Sequence, residues 1–309
     1  MPLGLAAAAA LGATGPAAER PAATPRSGDF AGPVAIGRGR ELFLRCRGRG
    51  GPVVLLESGI HDSSDPWTIT ETAPPVPPRP AVLPALARHV RVCAYDRPGT
   101  IRYTGPAAGT ITTRSTPVPM PRTLTAMVDD LDRLVTAARL PAPYVMVGHS
   151  YGGMIVRHYA QVHRRKVAGL ALLDAFSPPL ERLFGPRRWS RYAALLNRPG
   201  TPLDDQPGWE TFDTAETLAA VRGGGPLPPV PLAVVSKTEP FAVPPGFPRD
   251  IRARLERAWP RAQDLLVALR PRTPHVLATG SDHYVQLHDP DLVAATVEVV
   301  LGRARPVRR

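Results

Sequence analysis

Gly148-His149-Ser150-Tyr151-Gly152 sets a serine hydroxyl between two glycines, in a chain that also carries eight histidines and 26 acids. A base and a carboxylate brought to that serine would turn it into a nucleophile for acyl transfer. A bare G-x-S-x-G is a weak signal, because glycine and serine are common, so its flanks decide. Here an apolar run, "PYVMVGH" (143–149), precedes it and a helical pattern, "YGGMIVRHYAQVHRR" (151–165), follows directly. A strand turning straight into a helix needs glycine at 148 and 152, where any side chain would collide. The serine between them is forced into a strained conformation with its hydroxyl exposed. The start of the helix then points free N–H groups at any negative charge forming on a substrate.

Such a serine needs a base. His149 is next to it and points the wrong way from the turn, while His158 and His163 on the following helix suit structural or solvent roles. His283 lies in "ATGSDHYVQLHDP", between the last strand and the last helix, on a loop that reaches the same sheet edge as Ser150. His288 competes but sits beside Asp289, outside the expected pocket. His283 is therefore the expected base. Two carboxylates could orient it. Asp174 ends the strand after the nucleophile helix, and Glu239 in "SKTEPF" follows the next strand. Asp174 is preferred, because an added helical stretch, "RDIRARLERAWPRAQDLLVAL" (249–269), separates Glu239 from His283 and would displace its loop.

The elements that must position these groups alternate. Strands are predicted at 41–48, 52–58, 90–96, 143–149, 167–176, 231–236 and 274–280, several of them continuously apolar, as strands buried on both faces are. Between them, Leu124, Met127, Val128, Leu131, Leu134 and Val135 share one face of a helix within 122–140. The last helix opens at Asp289-Pro290 and stops near Gly302. This alternation predicts an α/β fold, a mostly parallel central sheet flanked by helices. Long Pro-rich loops at 59–80 and 98–121 follow strands, at the edge where ligands bind in open parallel sheets. Residues 177–230, with weak helices and Gly/Pro breaks, are the size of a small helical lid insertion.

Five stretches, "LLESGIHDSSDPW", "CAYDRPG", "VMVGHSYGG", "LALLDAFSP" and "GSDHYVQLHDPDLV", appear in this order over residues 41–302. Together they resemble the serine hydrolases of the α/β-hydrolase fold. The resemblance implies Ser150 as nucleophile, His283 as base and an acid between them, Glu239 standing where most members carry it. It also implies an oxyanion hole from the backbone N–H groups of Tyr151 and Ile60, although the His-Gly often found there is Ser58-Gly59 in this chain. The implied activity is cleavage of a carboxylic ester through an acyl-enzyme. Peptide or lactone cleavage on the same three residues, or a receptor that keeps the fold without turnover, are the alternatives. A serine at position 150 argues against haloalkane dehalogenases and epoxide hydrolases of this fold, which need a carboxylate there. The implied substrate is a small ester or acyl compound, with no metal or organic cofactor. Asp96-Arg97-Pro98-Gly99 reads as a brace for the loops, and Trp67, Phe184, Trp189 and Tyr192 as pocket or lid-core residues. In the family's strand order the strands of Cys46 and Cys93 are neighbours, so the two could form a disulfide in an exported protein or remain buried thiols in a reducing cytosol.

Composition bounds the rest. The 309 residues, 43% hydrophobic and 21% charged, suit one large domain with a sizeable core. The net charge of +12 comes almost wholly from arginines scattered along the chain, without zinc spacing or a basic helix, and this excludes a nucleic-acid reading. Domain limits are set at 1–35 for a signal-peptide-like or disordered leader, 36–302 for the hydrolase domain and 303–309 for a basic tail. The apolar run from Leu3 to Ala13 has signal-peptide length but no positive segment before it, leaving secretion or the cell envelope against the cytoplasm open. No segment is long enough for a transmembrane span.

Overall fold

The structure is a computed structural model that describes residues 28–71 and 77–304. The expected leader up to residue 27, part of the 59–80 loop and the end of the tail lie outside them. Eight strands form one sheet: β1 Phe30–Gly37, β2 Arg40–Arg47, β3 Val54–Glu57, β4 Val92–Tyr95, β5 Tyr144–His149, β6 Val167–Leu173, β7 Leu232–Lys237 and β8 His275–Ala278. Their order is β1-β2-β4-β3-β5-β6-β7-β8. β1 and β2 pair antiparallel, as do β2 and β4, and every later pairing is parallel. β3, β4 and β5 are buried at every position, the burial their unbroken apolar runs demand.

Helices cover both faces. α1 Val82–Leu86 and α9 Pro290–Ala304 bury Val82, Leu83, Val293 and Val297 against one face. α2 Leu124–Ala137, α3 Gly152–Val162 and α7 Arg249–Val267 pack on the other. α2 buries the six residues expected of its apolar face and begins at Thr123, whose hydroxyl accepts from Ala126 N–H. Within 177–230 run α4 Pro179–Phe184, α5 Pro186–Asn197 and α6 Thr214–Gly223, with α8 Val285–His288 just before α9.

One boundary is corrected. The limit drawn at residue 35 falls inside β1, whose Phe30 to Ala35 pair with β2. "FAGPVAIG" is poor in strand formers and holds a proline, which an edge strand tolerates because one side of its ladder is unpaired. Cys46 and Cys93 are register partners on β2 and β4, and the structure joins them in a disulfide.

The sheet order places the site. From β3 the chain steps to β4 on one side, and β5 adds on the other. The carboxyl ends of β3 and β5 therefore stand side by side at a topological switch point, where such sheets hold ligands.

Candidate active site

Ser150 sits between β5 and α3 with φ 51°, in the left-handed region. Its N–H donates to Leu173 O and its carbonyl accepts from Phe176 N–H, so two backbone bonds to the neighbouring strand's end hold the strain. A Cβ on Gly148 would lie 2.6 Å from Gly152 O, and one on Gly152 would lie 2.5 Å from Glu57 O. The elbow thus closes on itself and on the end of β3, and both glycines are required by contact rather than by flexibility.

His283 Nδ1 lies 2.6 Å from Asp174 Oδ2. Asp174 is fully buried at the end of β6 with φ 40°, a second strained residue at this edge. Its other oxygen, Oδ1, accepts from Trp259 Nε1 at 2.8 Å and from Lys237 N–H at 3.2 Å. Glu239 is exposed, and among the described residues its carboxylate meets only the Thr238 hydroxyl, at 3.4 Å. His288 turns to Asp282, 3.1 Å away. Trp259 was not foreseen. It comes from α7, the added helix expected to displace the Glu239 loop, and that helix instead supplies a donor to Asp174.

His149 is placed differently from expectation. Its ring lies 4.8 Å from that of His283 between centroids, and it lines the same cavity as Ser150. Burial, reinforced by the neighbouring His283, holds its pKa well below the ordinary value, so the ring is neutral. Nε2 then donates to the His283 carbonyl at 2.8 Å while Nδ1 accepts from Gln286 Nε2 at 3.3 Å. The residue before the serine anchors the main chain that carries His283.

The turn after β3 forms the other wall. A Cβ on Gly59 would come within 3.3 Å of Ser150 Cβ, so this turn abuts the serine. Among the described residues, the backbone N–H groups of Ile60 and Tyr151 donate to no protein acceptor, and both residues line the cavity. Buried Arg97 fastens the turn, donating to Ser58 O at 3.0 Å, to Gly59 O at 2.5 Å and to Glu57 Oε1 at 2.6 Å. Glu210, fully buried and unforeseen, completes the clamp: it accepts from Arg97 Nε at 2.7 Å and from His61 N–H at 2.6 Å. His61 has φ 67° and stacks on Trp209, with ring centroids 4.1 Å apart. Asp96, the other half of that motif, accepts from Ser64 Oγ at 2.7 Å, Thr112 Oγ1 at 3.0 Å and Arg114 Nε at 2.7 Å.

Glu210 reaches this turn from the 177–230 segment, so the segment positions the turn as well as lining the cavity. Glu210→Gln leaves Arg97 short of a counter-charge and weakens the bond to His61 N–H. With the Ile60 and Tyr151 N–H groups as the oxyanion hole that the resemblance implies, kcat should fall about 10- to 100-fold with KM changed little, since misplaced backbone donors affect the transition state first. Stability should fall by about 3 kcal/mol. Steady-state kinetics and urea unfolding check both. An unchanged kcat would show that the turn holds its shape without the clamp.

The cavity, about 320 Å³, is lined by Ser150, His283, Ile60 and Tyr151. Its walls are largely aromatic and aliphatic: Phe176, Tyr192, Leu195, Leu196, Trp209, Phe212, Phe241 and Trp259. Trp67 lies beneath the turn, donating to Ser58 Oγ at 2.8 Å, and Phe184 and Trp189 pack in the core behind Tyr192. Among the described residues no cluster of His, Cys, Asp and Glu could hold a metal, and no helix is long and apolar enough to cross a membrane.

Asp62 also lines the cavity, accepting from the Tyr103 hydroxyl at 2.6 Å. Burial outweighs that bond and the Arg97 charge, raising its pKa from 3.8 to about 6. Between these values the folded chain keeps a proton that the unfolded chain has released, so this site's contribution to stability falls as pH rises. Asp62→Asn removes the effect. In urea unfolding, the stability of the variant relative to wild type should rise by about 2–3 kcal/mol from pH 4 to pH 7. A difference independent of pH would contradict the assignment.

Comparison with known proteins agrees with this architecture. A probable transporter of Hormonema carpetanum is 30% identical over 167 residues, 51% of this chain, and the aligned part spans only 21% of that protein's length. Among solved structures, a haloalkane dehalogenase from Agrobacterium tumefaciens C58 superposes with a TM-score of 0.56 at 18% identity, covering 90% of this chain and 98% of that one. A thermophilic esterase from Thermogutta terrifontis superposes with a TM-score of 0.51 at 18% identity, covering 91% and 100%. At such identities the superpositions establish the fold alone. Residues 53–296 match the model of the alpha/beta hydrolase family, which spans the sheet from β3 to the last helix, and the chain belongs to that family.

Proposed function

We propose that this chain is a serine hydrolase that cleaves a carboxylic ester through an acyl-enzyme on Ser150. The observation that carries it is the 2.6 Å bond from His283 to the buried carboxylate of Asp174, in a cavity shared with a serine strained at φ 51°. Asp174 keeps the Nδ1–H tautomer, so Nε2 is the free base. It takes the Ser150 proton as Oγ attacks the carbonyl carbon. The oxyanion develops against the N–H groups of Ile60 and Tyr151, and the imidazolium returns its proton to the departing alcohol. Water, deprotonated by the same ring, then releases the acid. The Cys46–Cys93 disulfide accords with an oxidising compartment, which supports our reading of a secreted or envelope location.

The apolar walls favour a hydrophobic acyl group. With a series of p-nitrophenyl esters, kcat/KM should rise about fourfold per added methylene until the cavity is filled, as about 0.8 kcal/mol per buried CH₂ implies. No turnover of any ester by correctly folded protein would remove the proposal, and rates independent of chain length would remove this cavity as the acyl site.

A further inference from the structure

A separate pocket, of about 410 Å³, shares no lining residue with the Ser150 cavity and is lined by Arg157, Pro178, Pro179, Arg182 and Arg222. Its cations come from three elements: Arg157 from α3, Arg182 from α4 and Arg222 from α6. Arg157 makes no hydrogen bond or ion pair to another described residue, although its Nε is wholly enclosed. Burial alone lowers its pKa to about 10, with no acid offsetting the loss. Arg182 has no ion-pair partner among the described residues and is exposed. Arg222 donates to Glu181 and to Pro178 O, and Glu181 is the one carboxylate paired at this site. Of the three guanidinium groups, among the described residues only that of Arg222 is paired with a carboxylate.

Enclosing the Nε of Arg157 without a partner costs free energy that a fold does not leave uncompensated without cause. The planar fork of arginine matches tetrahedral oxyanions through paired N–H donors, and three forks on separate helices can surround one from three sides. We propose that this pocket is a binding site for a phosphate group, either free or as a small monoester. The bound group would join α3, which begins two residues after Ser150, to α4 and α6. α6 also carries Thr217, whose hydroxyl lies 2.9 Å from the Tyr151 hydroxyl beside the elbow. Occupancy would thus tighten the junction between the nucleophile helix and the segment that lines the cavity.

Calorimetric titration of the full chain with inorganic phosphate, and separately with phenyl phosphate, at an ionic strength fixed with chloride, tests this. We expect saturable one-to-one binding. Arg157→Met keeps the apolar stem and should weaken it by at least about tenfold, the loss of a charge-assisted bond. Arg182→Gln, at an exposed position where folding is not at risk, should weaken it by a smaller factor. At ten times Kd the Tm should rise by about 3 °C. Tighter binding of phenyl phosphate would identify a monoester as the ligand, and equal binding would identify free phosphate. Unsaturable heats, equal affinity in wild type and both variants, or an equal Tm shift from chloride would overturn the proposal.

Discussion

Ser150→Ala is expected to lower kcat for ester hydrolysis by about 10⁵- to 10⁶-fold, the scale seen when an acyl-transfer nucleophile is removed. The fold should not change. The turn is held by backbone bonds, Ser150 N–H to Leu173 O and Phe176 N–H to Ser150 O, and alanine retains both along with the same Cβ. Gly148 and Gly152 are untouched, so the helix still starts against the end of β3. Circular dichroism and Tm report the fold, and steady-state rates report the chemistry. A variant that keeps more than about 1% of kcat would point to another nucleophile.

The second large effect separates the two acids. Asp174→Asn should cost about 10⁴ in kcat, while Glu239→Gln should leave it within about twofold. The geometry says why an isosteric change is so harmful. Trp259 Nε1 and Lys237 N–H both donate to Oδ1, so the amide oxygen of the new asparagine must stay on that side. Its NH₂ then faces His283, at the place where Oδ2 lay 2.6 Å from Nδ1. Nδ1 must accept, the ring proton moves to Nε2, and the base that should take the Ser150 proton is already protonated. Glu239 is exposed and hydrogen-bonds Thr238 rather than His283. Measuring kcat for both variants decides the matter, and the reverse order of effects would return the role to Glu239.

Much of this architecture is written locally. β5, the elbow and α3 are contiguous, so apolar run, glycines and amphipathic helix can be read from one stretch. α2 is legible for the same reason, its six apolar positions falling on one face. His283 could be placed because the loop between the last strand and helix must return to the edge where the serine stands. What could not be read depends on contacts between distant residues. Glu210 binds Arg97 from 113 positions away, and Trp259 binds Asp174 from 85. Neither side chain differs in its local sequence from a surface glutamate or a core tryptophan. The role of His149 depends on where the His283 carbonyl falls, which no spacing specifies. β1 was missed because edge pairing to β2, rather than propensity, makes a strand of Phe30–Gly37.

The central claim is that Ser150 is an activated nucleophile, and intact-protein mass after treatment with a fluorophosphonate tests it most directly. Wild type should gain one phosphonyl group, and Ser150→Ala should gain none under the same conditions. No adduct on correctly folded wild type, or an equal adduct on the alanine variant, would contradict it.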